Sequence, residues 1–439
     1  MKTWLKLNTK KTNSHKESPK KELKKSHALY EKLFIPFICA IFFSAFIYWE
    51  HFFKSYNPPL LSTIFALIAL AFYFHLKKFG AFICGGFVGI FWFYWIGLSF
   101  RYYDLSYLIP FIVLFVALVY GIIFYFMCFF KNPLYRTLML VLVSFLHPFG
   151  FNWFIPELML TTSYFEPSKT ILFCLCLIIM LTQKMFAEKY YKMGGVFFLS
   201  SLILLGSSNL NLAKTPTLSH LKIKTLQTSI PQDQKWDKNN LASHIQTNFN
   251  HIKLAKNEGY DMVILPETTF PLALNLYPNL LEDLKAFSQD IIILTGALRN
   301  DKEQTFNSAY LFNKGQLQIF DKVILVPFGE NIPLPTPIAK WINTHFFKGG
   351  EDFSTAQNIS FNTAKIDNIP FNIAICYEAT REEFYKNSPP FLIAISNNAW
   401  FYPSIEPTLQ KLLMQYFAKN YGTSIYHSSN FSPSFLLTP

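Results

Sequence analysis

Three side chains in the second half of the sequence have the chemistry of a nucleophilic site: the carboxylate of Glu267, the ammonium of Lys322 and the thiol of Cys376. A carboxylate can take the thiol proton. An ammonium favours the thiolate and can hold the oxyanion of a tetrahedral intermediate, so such a nucleophilic site needs no histidine. Five of the six cysteines, Cys39, Cys84, Cys128, Cys174 and Cys176, lie in long apolar runs, which leaves Cys376 as the one thiol of the second half, without a disulfide partner there. Bland readings compete: Cys376 as a small core residue, Glu267 solvating a strand end, Lys322 paired with Asp321. Spacing does not decide, because a Glu–Lys–Cys order has no short-range signature.

The elements that must position these groups read as strands. Phe371-Asn-Ile-Ala-Ile is a short buried strand ending at Cys376, and Asp261–Pro266 is one closed by proline and Glu267. Lys322 lies in Phe320-Asp-Lys-Val, which leads into Pro327-Phe-Gly-Glu330. Further strands are expected over Leu221–Ile230, Ile291–Ala297, Phe306–Phe312, Gln318–Ile324, Phe391–Ser396, Thr423–His427 and Ser434–Leu437, and helices over Asn239–Asn257, Pro278–Phe287 and Pro407–Asn420. Strands alternating with helices, then clustered strands, indicate an α/β or layered α-β-β-α domain over 218–439. Functional groups of such sheets collect at strand ends.

The first half is of another kind. The 439 residues include 49 Phe, and only 15% are charged, too apolar for one soluble domain. The excess lies in residues 33–209, a membrane domain with seven apolar runs: Leu33–Trp49, Leu60–Leu76, Phe79–Leu98, Ser106–Phe130, Leu134–Phe154, Thr170–Gln183 and Gly195–Ser208. Residues 1–32 carry ten Lys against three Glu and read as a basic cytoplasmic tail rather than a nucleic-acid arm. With the tail inside, Lys77, Lys78, Lys131, Arg136, Lys184, Lys189 and Lys192 fall on inside breaks. The outside breaks carry Lys54 with Glu50, Arg101 with Asp104, and Glu157 and Glu166 with Lys169, so positive charge concentrates on the inside ones. Seven spans then put the globular half outside the cytoplasm. Ionisable residues within the runs are nearly confined to His75 and His147, which suits an anchor or the wall of a lipid site better than an ion pathway. The stretch Pro333–Phe353, with Trp341, Phe346 and Phe347 ahead of Gly349-Gly350, reads as an amphipathic flap at the membrane interface.

Leu265-Pro-Glu267-Thr, Asp321-Lys322 with Pro327-Phe-Gly-Glu330, and Cys376-Tyr-Glu378 resemble the nitrilase (carbon–nitrogen hydrolase) superfamily. Ile230-Pro-Gln-Asp-Gln-Lys-Trp236, Pro327-Phe-Gly-Glu-Asn-Ile-Pro333, Ser396-Asn-Asn-Ala-Trp-Phe401 and Pro148-Phe-Gly-Phe-Asn-Trp153 resemble its apolipoprotein N-acyltransferase family. The resemblance implies a polytopic α-helical membrane domain fused to a nitrilase-like α-β-β-α domain, in the bacterial inner membrane with the catalytic domain in the periplasm. It implies that a phospholipid acylates Cys376 and that the α-amine of a diacylglyceryl-cysteine apolipoprotein then takes the acyl chain, without metal or cofactor. Glu267 would be the general base, Lys322 the oxyanion stabiliser and Cys376 the nucleophile. Glu330 and Glu378 would support them, and Trp236 and Tyr377 would lie near the substrate. The sequence departs from the family where Asn398 and Tyr402 replace its Asp and Gly, and where no further apolar run follows the globular half before Pro439. A membrane-anchored amidase with the same triad, giving the thioester to water, is the alternative.

Overall fold

The computed structural model describes residues 30–53, 58–210, 217–302, 304–346, 353–356 and 362–439. Residues 1–29 of the expected tail, and Phe347, Gly349 and Gly350 of the expected flap, lie outside the described residues.

Every expected apolar run contains a helix: α1 (Ile35–Phe53), α2 (Pro59–His75), α3 (Lys78–Phe93), α4 (Ile109–Met127), α5 (Pro133–Leu142), α6 (Lys169–Ala187) and α7 (Tyr191–Leu210). Four helical stretches are long and apolar enough to cross a membrane: Lys32–Phe53, Lys78–Tyr103, Ser106–Met127 and Lys169–Ala187. The apolar helices Pro59–His75, Pro133–Phe145 and Tyr191–Ser207 are shorter. The fifth run therefore differs from the span expected over Leu134–Phe154. Pro148 disfavours helix at His147, and Phe149 and Gly150 take positive φ of 54° and 81°. Beyond Phe145 the chain leaves the helix and enters the contact with the globular half. One face of α4 leaves Phe111, Leu114, Leu118, Ile122 and Phe126 exposed, spaced for a helical stripe that lipid would cover. Its other face meets α3 closely: a Cβ on Gly85 would sit 2.3 Å from the Tyr120 carbonyl oxygen.

The globular half is an α-β-β-α sandwich. Its elements in chain order are β1 (Ile223–Thr225), β2 (Gln227–Thr228), α8 (Leu241–Asn257), β3 (Met262–Ile264), β4 (Phe270–Ala273), α9 (Pro278–Phe287), β5 (Ile292–Asp301), β6 (Gln304–Asn313), β7 (Gln316–Asp321), α10 (Thr336–Phe346), β8 (Thr363–Ile366), β9 (Ile369–Ile375), β10 (Phe391–Asn397), α11 (Glu406–Tyr421), β11 (Ser424–Asn430) and β12 (Phe435–Leu437). One sheet runs β1-β3-β5-β6-β7 with β4 beside β5. The other runs β12-β11-β10-β9-β8 with β2 beside β11. The strand expected over Leu221–Ile230 is thus two, passing from the first sheet to the second at Leu226.

Side-chain alternation builds the layers. Met262 and Ile264 of β3 meet Phe371, Ile373 and Ile375 of β9 between the sheets. Val263, between them in sequence, faces the other way, onto Ile252 of α8 and Leu284 of α9. Ala374 and Ala394 face Leu409, Leu412 and Leu413 of α11, in a core continuous with that of the membrane half. The two halves are also tied by polar contacts. Lys411 pairs with Glu50 at 2.9 Å, the Tyr416 hydroxyl donates to Glu157 at 3.1 Å, Lys419 donates to the Thr161 carbonyl at 2.7 Å, and Arg101 donates to the Tyr402 carbonyl at 2.7 Å.

Candidate active site

Glu267 stands three residues beyond β3, buried, with Thr268 after it at a φ of 46°. The turn presses on β5 at Gly296, where a Cβ would lie 2.4 Å from the Thr268 nitrogen and 2.7 Å from the Glu267 Cα. Asn307 of β6 aims the carboxylate: its Nδ2 donates to Glu267 Oε1 at 2.7 Å and to Glu330 Oε1 at 3.3 Å.

Lys322 follows β7 directly, and its N–H donates to the Asn307 carbonyl at 2.8 Å. Its side chain is fully buried. Nζ lies 2.8 and 2.7 Å from the two Glu330 oxygens and 3.9 Å from Glu267 Oε1. Burial works against the ammonium, but the charges of Glu330, Glu267 and Cys376 outweigh it and hold the pKa above the ordinary lysine value. Asp321, the competing surface partner, is occupied by Arg299 at 2.7 Å and by the Ser308 hydroxyl at 2.6 Å.

Cys376 begins the turn that ends β9, at a φ of 55°. Alternation along β9 directs its neighbours into the core, and the left-handed kink frees the thiol to face a pocket. Glu378 fastens this elbow. Its Oε2 accepts the Ile375 N–H at 2.8 Å, and its Oε1 accepts the N–H groups of Val323 and Ile324 at 2.6 and 3.0 Å. One fully buried carboxylate therefore joins the strand bearing Cys376 to the loop bearing Lys322. Burial pushes it up to about 7, against Lys322 and the three backbone donors. Burial also pushes the Cys376 thiol well up, Glu267 pushes the same way and Lys322 opposes both. The resting group is a thiol, so forming a thiolate requires a base at hand.

Glu267, Lys322, Glu330, Cys376 and Trp236 line one pocket, together with Asn397, Trp400 and Phe353. Glu378 and Tyr377 stand behind it. The Tyr377 hydroxyl donates to Asn152 Oδ1 at 2.7 Å, and the Thr380 hydroxyl three residues further on accepts from Trp153 Nε1 at 2.7 Å. Tyr377 therefore docks the elbow onto the membrane half. A second, strongly apolar cavity opens alongside, walled by Trp95, Ile112, Phe115, Val116 and Tyr120 of the membrane half. Ser99, Val326, Gly329 and Phe401 line both spaces, so the two adjoin.

Residues of the site that sequence reading passed over are Asn307, Gly296 and Lys235. Asn307 sits in an apolar strand, where the polar pair Asn307-Ser308 was the available signal. Lys235 ends a helical turn, Gln232–Lys235, and is 2% exposed, with Nζ donating to the Glu267 carbonyl at 2.9 Å. Of α10, Ile338 and Trp341 are exposed. Among the described residues, no three His, Cys, Asp or Glu side chains are grouped to hold a metal ion.

Residues 30–204 match the apolipoprotein N-acyltransferase integral membrane domain. An apolipoprotein N-acyltransferase of Wolinella succinogenes is 43% identical over 91% of this chain and 94% of its own length. One of Helicobacter pylori is 40% identical over 92% and 95%. Among solved structures, a CN-hydrolase superfamily protein of Xanthomonas campestris aligns with 49% of this chain and 77% of its own at 15% identity and a TM-score of 0.38.

Proposed function

From the premise that this chain belongs to the apolipoprotein N-acyltransferase family and N-acylates lipoproteins, we propose that Cys376 carries the acyl group, with Glu267 as base and Lys322 as oxyanion stabiliser. Glu267 takes the Cys376 proton, and the thiolate attacks the ester carbonyl of a phospholipid. The oxyanion forms beside Lys322, whose charge Glu330 holds in place. The ester C–O bond breaks, Glu267 returns the proton to the departing lysophospholipid alkoxide, and a thioester remains. The α-amine of a diacylglyceryl-cysteine at an apolipoprotein N-terminus then attacks the thioester. Glu267 takes the amine proton and the thiolate leaves, completing an amide. Trp236 flanks the entering groups, while Glu378 and Tyr377 hold the elbow from behind.

The observation that carries this reading is the apolar cavity of the membrane half, which adjoins the Cys376 pocket. It suits an acyl chain whose ester reaches the thiol, whereas a small polar amide has no use for it, so the amidase alternative is not favoured. The catalytic half rests on Glu50, Arg101 and Glu157, residues of the breaks that charge places outside. That contact supports a catalytic domain on the periplasmic side of an inner membrane.

Full-length protein in phospholipid vesicles bearing a labelled acyl chain tests the reading. The wild type should acquire a hydroxylamine-labile label and pass it to a diacylglyceryl-cysteine peptide. Cys376→Ala should acquire none, and Lys322→Ala should lose about 100- to 1,000-fold in rate. A labile label on Cys376→Ala at wild-type level overturns the proposed nucleophile. Transfer to water in preference to the peptide favours the amidase.

A further inference from the structure

The site holds a second buried ammonium besides that of Lys322, on Lys235. Lys322 is engaged by both oxygens of Glu330. Glu378 spends its oxygens on three backbone N–H groups. Glu406, at the start of α11, is buried and pushed well up by that burial and by Glu267. In the proposed mechanism Glu267 and Cys376 exchange a single proton and share the negative charge it leaves.

Lys235 lies against this pair. Its ammonium is buried, its one hydrogen bond goes to the neutral Glu267 carbonyl, and among the described residues no carboxylate comes within 4.0 Å of it. A lone buried ammonium opposes folding, since desolvation is not repaid by a direct partner. Burial pulls its pKa down to about 7, while Glu267 and Cys376 work the other way. Its hydrogen bond to the Glu267 carbonyl at 2.9 Å places that charge where it acts on Glu267 and Cys376.

We infer that Lys235 is a positioning residue for acyl transfer: its ammonium is the counter-charge of the anion that passes between Glu267 and Cys376, and its hydrogen bond fixes the Glu267 peptide. The inference rests on the proposed roles of Glu267 and Cys376. Proton transfer from thiol to carboxylate moves the negative charge without changing it, and Lys235 stabilises it in both places. Lys322, held by Glu330, is left to meet the oxyanion.

The test is the pH profile of Cys376 alkylation by iodoacetamide, read by mass spectrometry of the Cys376 peptide from full-length protein in detergent, beside the melting temperature. Lys235→Met should slow alkylation at least tenfold at pH 6.5 and raise the midpoint of the profile by about one unit or more, as loss of one nearby charge in a poorly screened site does. Its melting temperature should be unchanged or higher, an outcome that a merely structural lysine would not give. Lys235→Gln keeps a donor for the Glu267 carbonyl and removes the charge, so it should shift the profile likewise, and it serves if the methionine variant does not fold. A wild-type profile in either folded variant overturns the inference. If the wild type itself forms no thioester from labelled phospholipid, the reading of the site fails first. A wild-type thioester with unshifted variants sinks Lys235 alone.

Discussion

Glu378→Gln keeps the shape of the side chain and removes one acceptor from a place with no water to replace it. The carboxylate accepts the Val323 and Ile324 N–H groups on one oxygen and the Ile375 N–H on the other, and the residue is fully buried. A glutamine can aim its oxygen at Val323 and Ile324, but its amide nitrogen then faces the Ile375 N–H, donor against donor. Losing a hydrogen bond to a charged acceptor costs about 1.5–3 kcal/mol, and stranding a buried N–H costs about 1–3 kcal/mol. The elbow should therefore be destabilised by about 2–5 kcal/mol. The strain falls on the residue before Cys376, whose left-handed φ must be held against its own preference. If about half of that cost appears in the barrier, thioester formation slows roughly tenfold to hundredfold. Rapid-quench measurement of the labile label from labelled phospholipid reads the rate, and thermal unfolding reads the stability. Thioester formation at the wild-type rate with an unchanged melting temperature would refute the idea that Glu378 fastens the site.

Two further substitutions test other parts of the frame. Gly296→Ala puts a methyl group against the Thr268 nitrogen and the Glu267 Cα, so the base must move; a misplacement near 1 Å should slow thioester formation about 100-fold, and a rate within threefold of wild type would show that the turn can yield without cost. His427 is buried, with Nε2 against the Ser396 hydroxyl at 3.0 Å, and burial lowers its pKa to about 3. Because the folded value lies below the unfolded one, its contribution to stability is complete above about pH 6.5 and is lost progressively as pH falls towards 3. It should account for about 2 kcal/mol of lost stability between pH 7.5 and 5, and His427→Gln should remove that part of the slope in denaturant titrations at the two pH values; an unaltered slope would place the acid sensitivity elsewhere.

The strands that carry the site were legible from short runs of β-favouring residues, Met-Val-Ile-Leu before Glu267, Ile-Phe before Lys322 and Phe-Asn-Ile-Ala-Ile before Cys376, each followed by a residue of another kind. The helices α8, α9 and α11 were legible from their own periodicity, and α9 begins at the proline that favours a first turn. What escaped was set by contacts between segments distant in the chain. β4 and β8 are four residues each and carry too short a pattern to be told from loop. The fifth apolar run looked like a span because composition cannot show that Pro148 and two left-handed residues turn the chain out of the helix. Nothing near Tyr377 says that its hydroxyl meets Asn152, which precedes it by 225 residues and makes it a mooring. That mooring explains why the departure of the chain from helix after Phe145 matters to chemistry. The loop freed by Pro148 supplies Asn152 and Trp153 to the turn that follows Cys376, and the same loop, through Pro148, Phe149 and Phe151, walls the apolar cavity. The nucleophile and the space for the acyl chain are thereby set by one piece of backbone, so the contact between the two halves is what sets the thiol against the cavity.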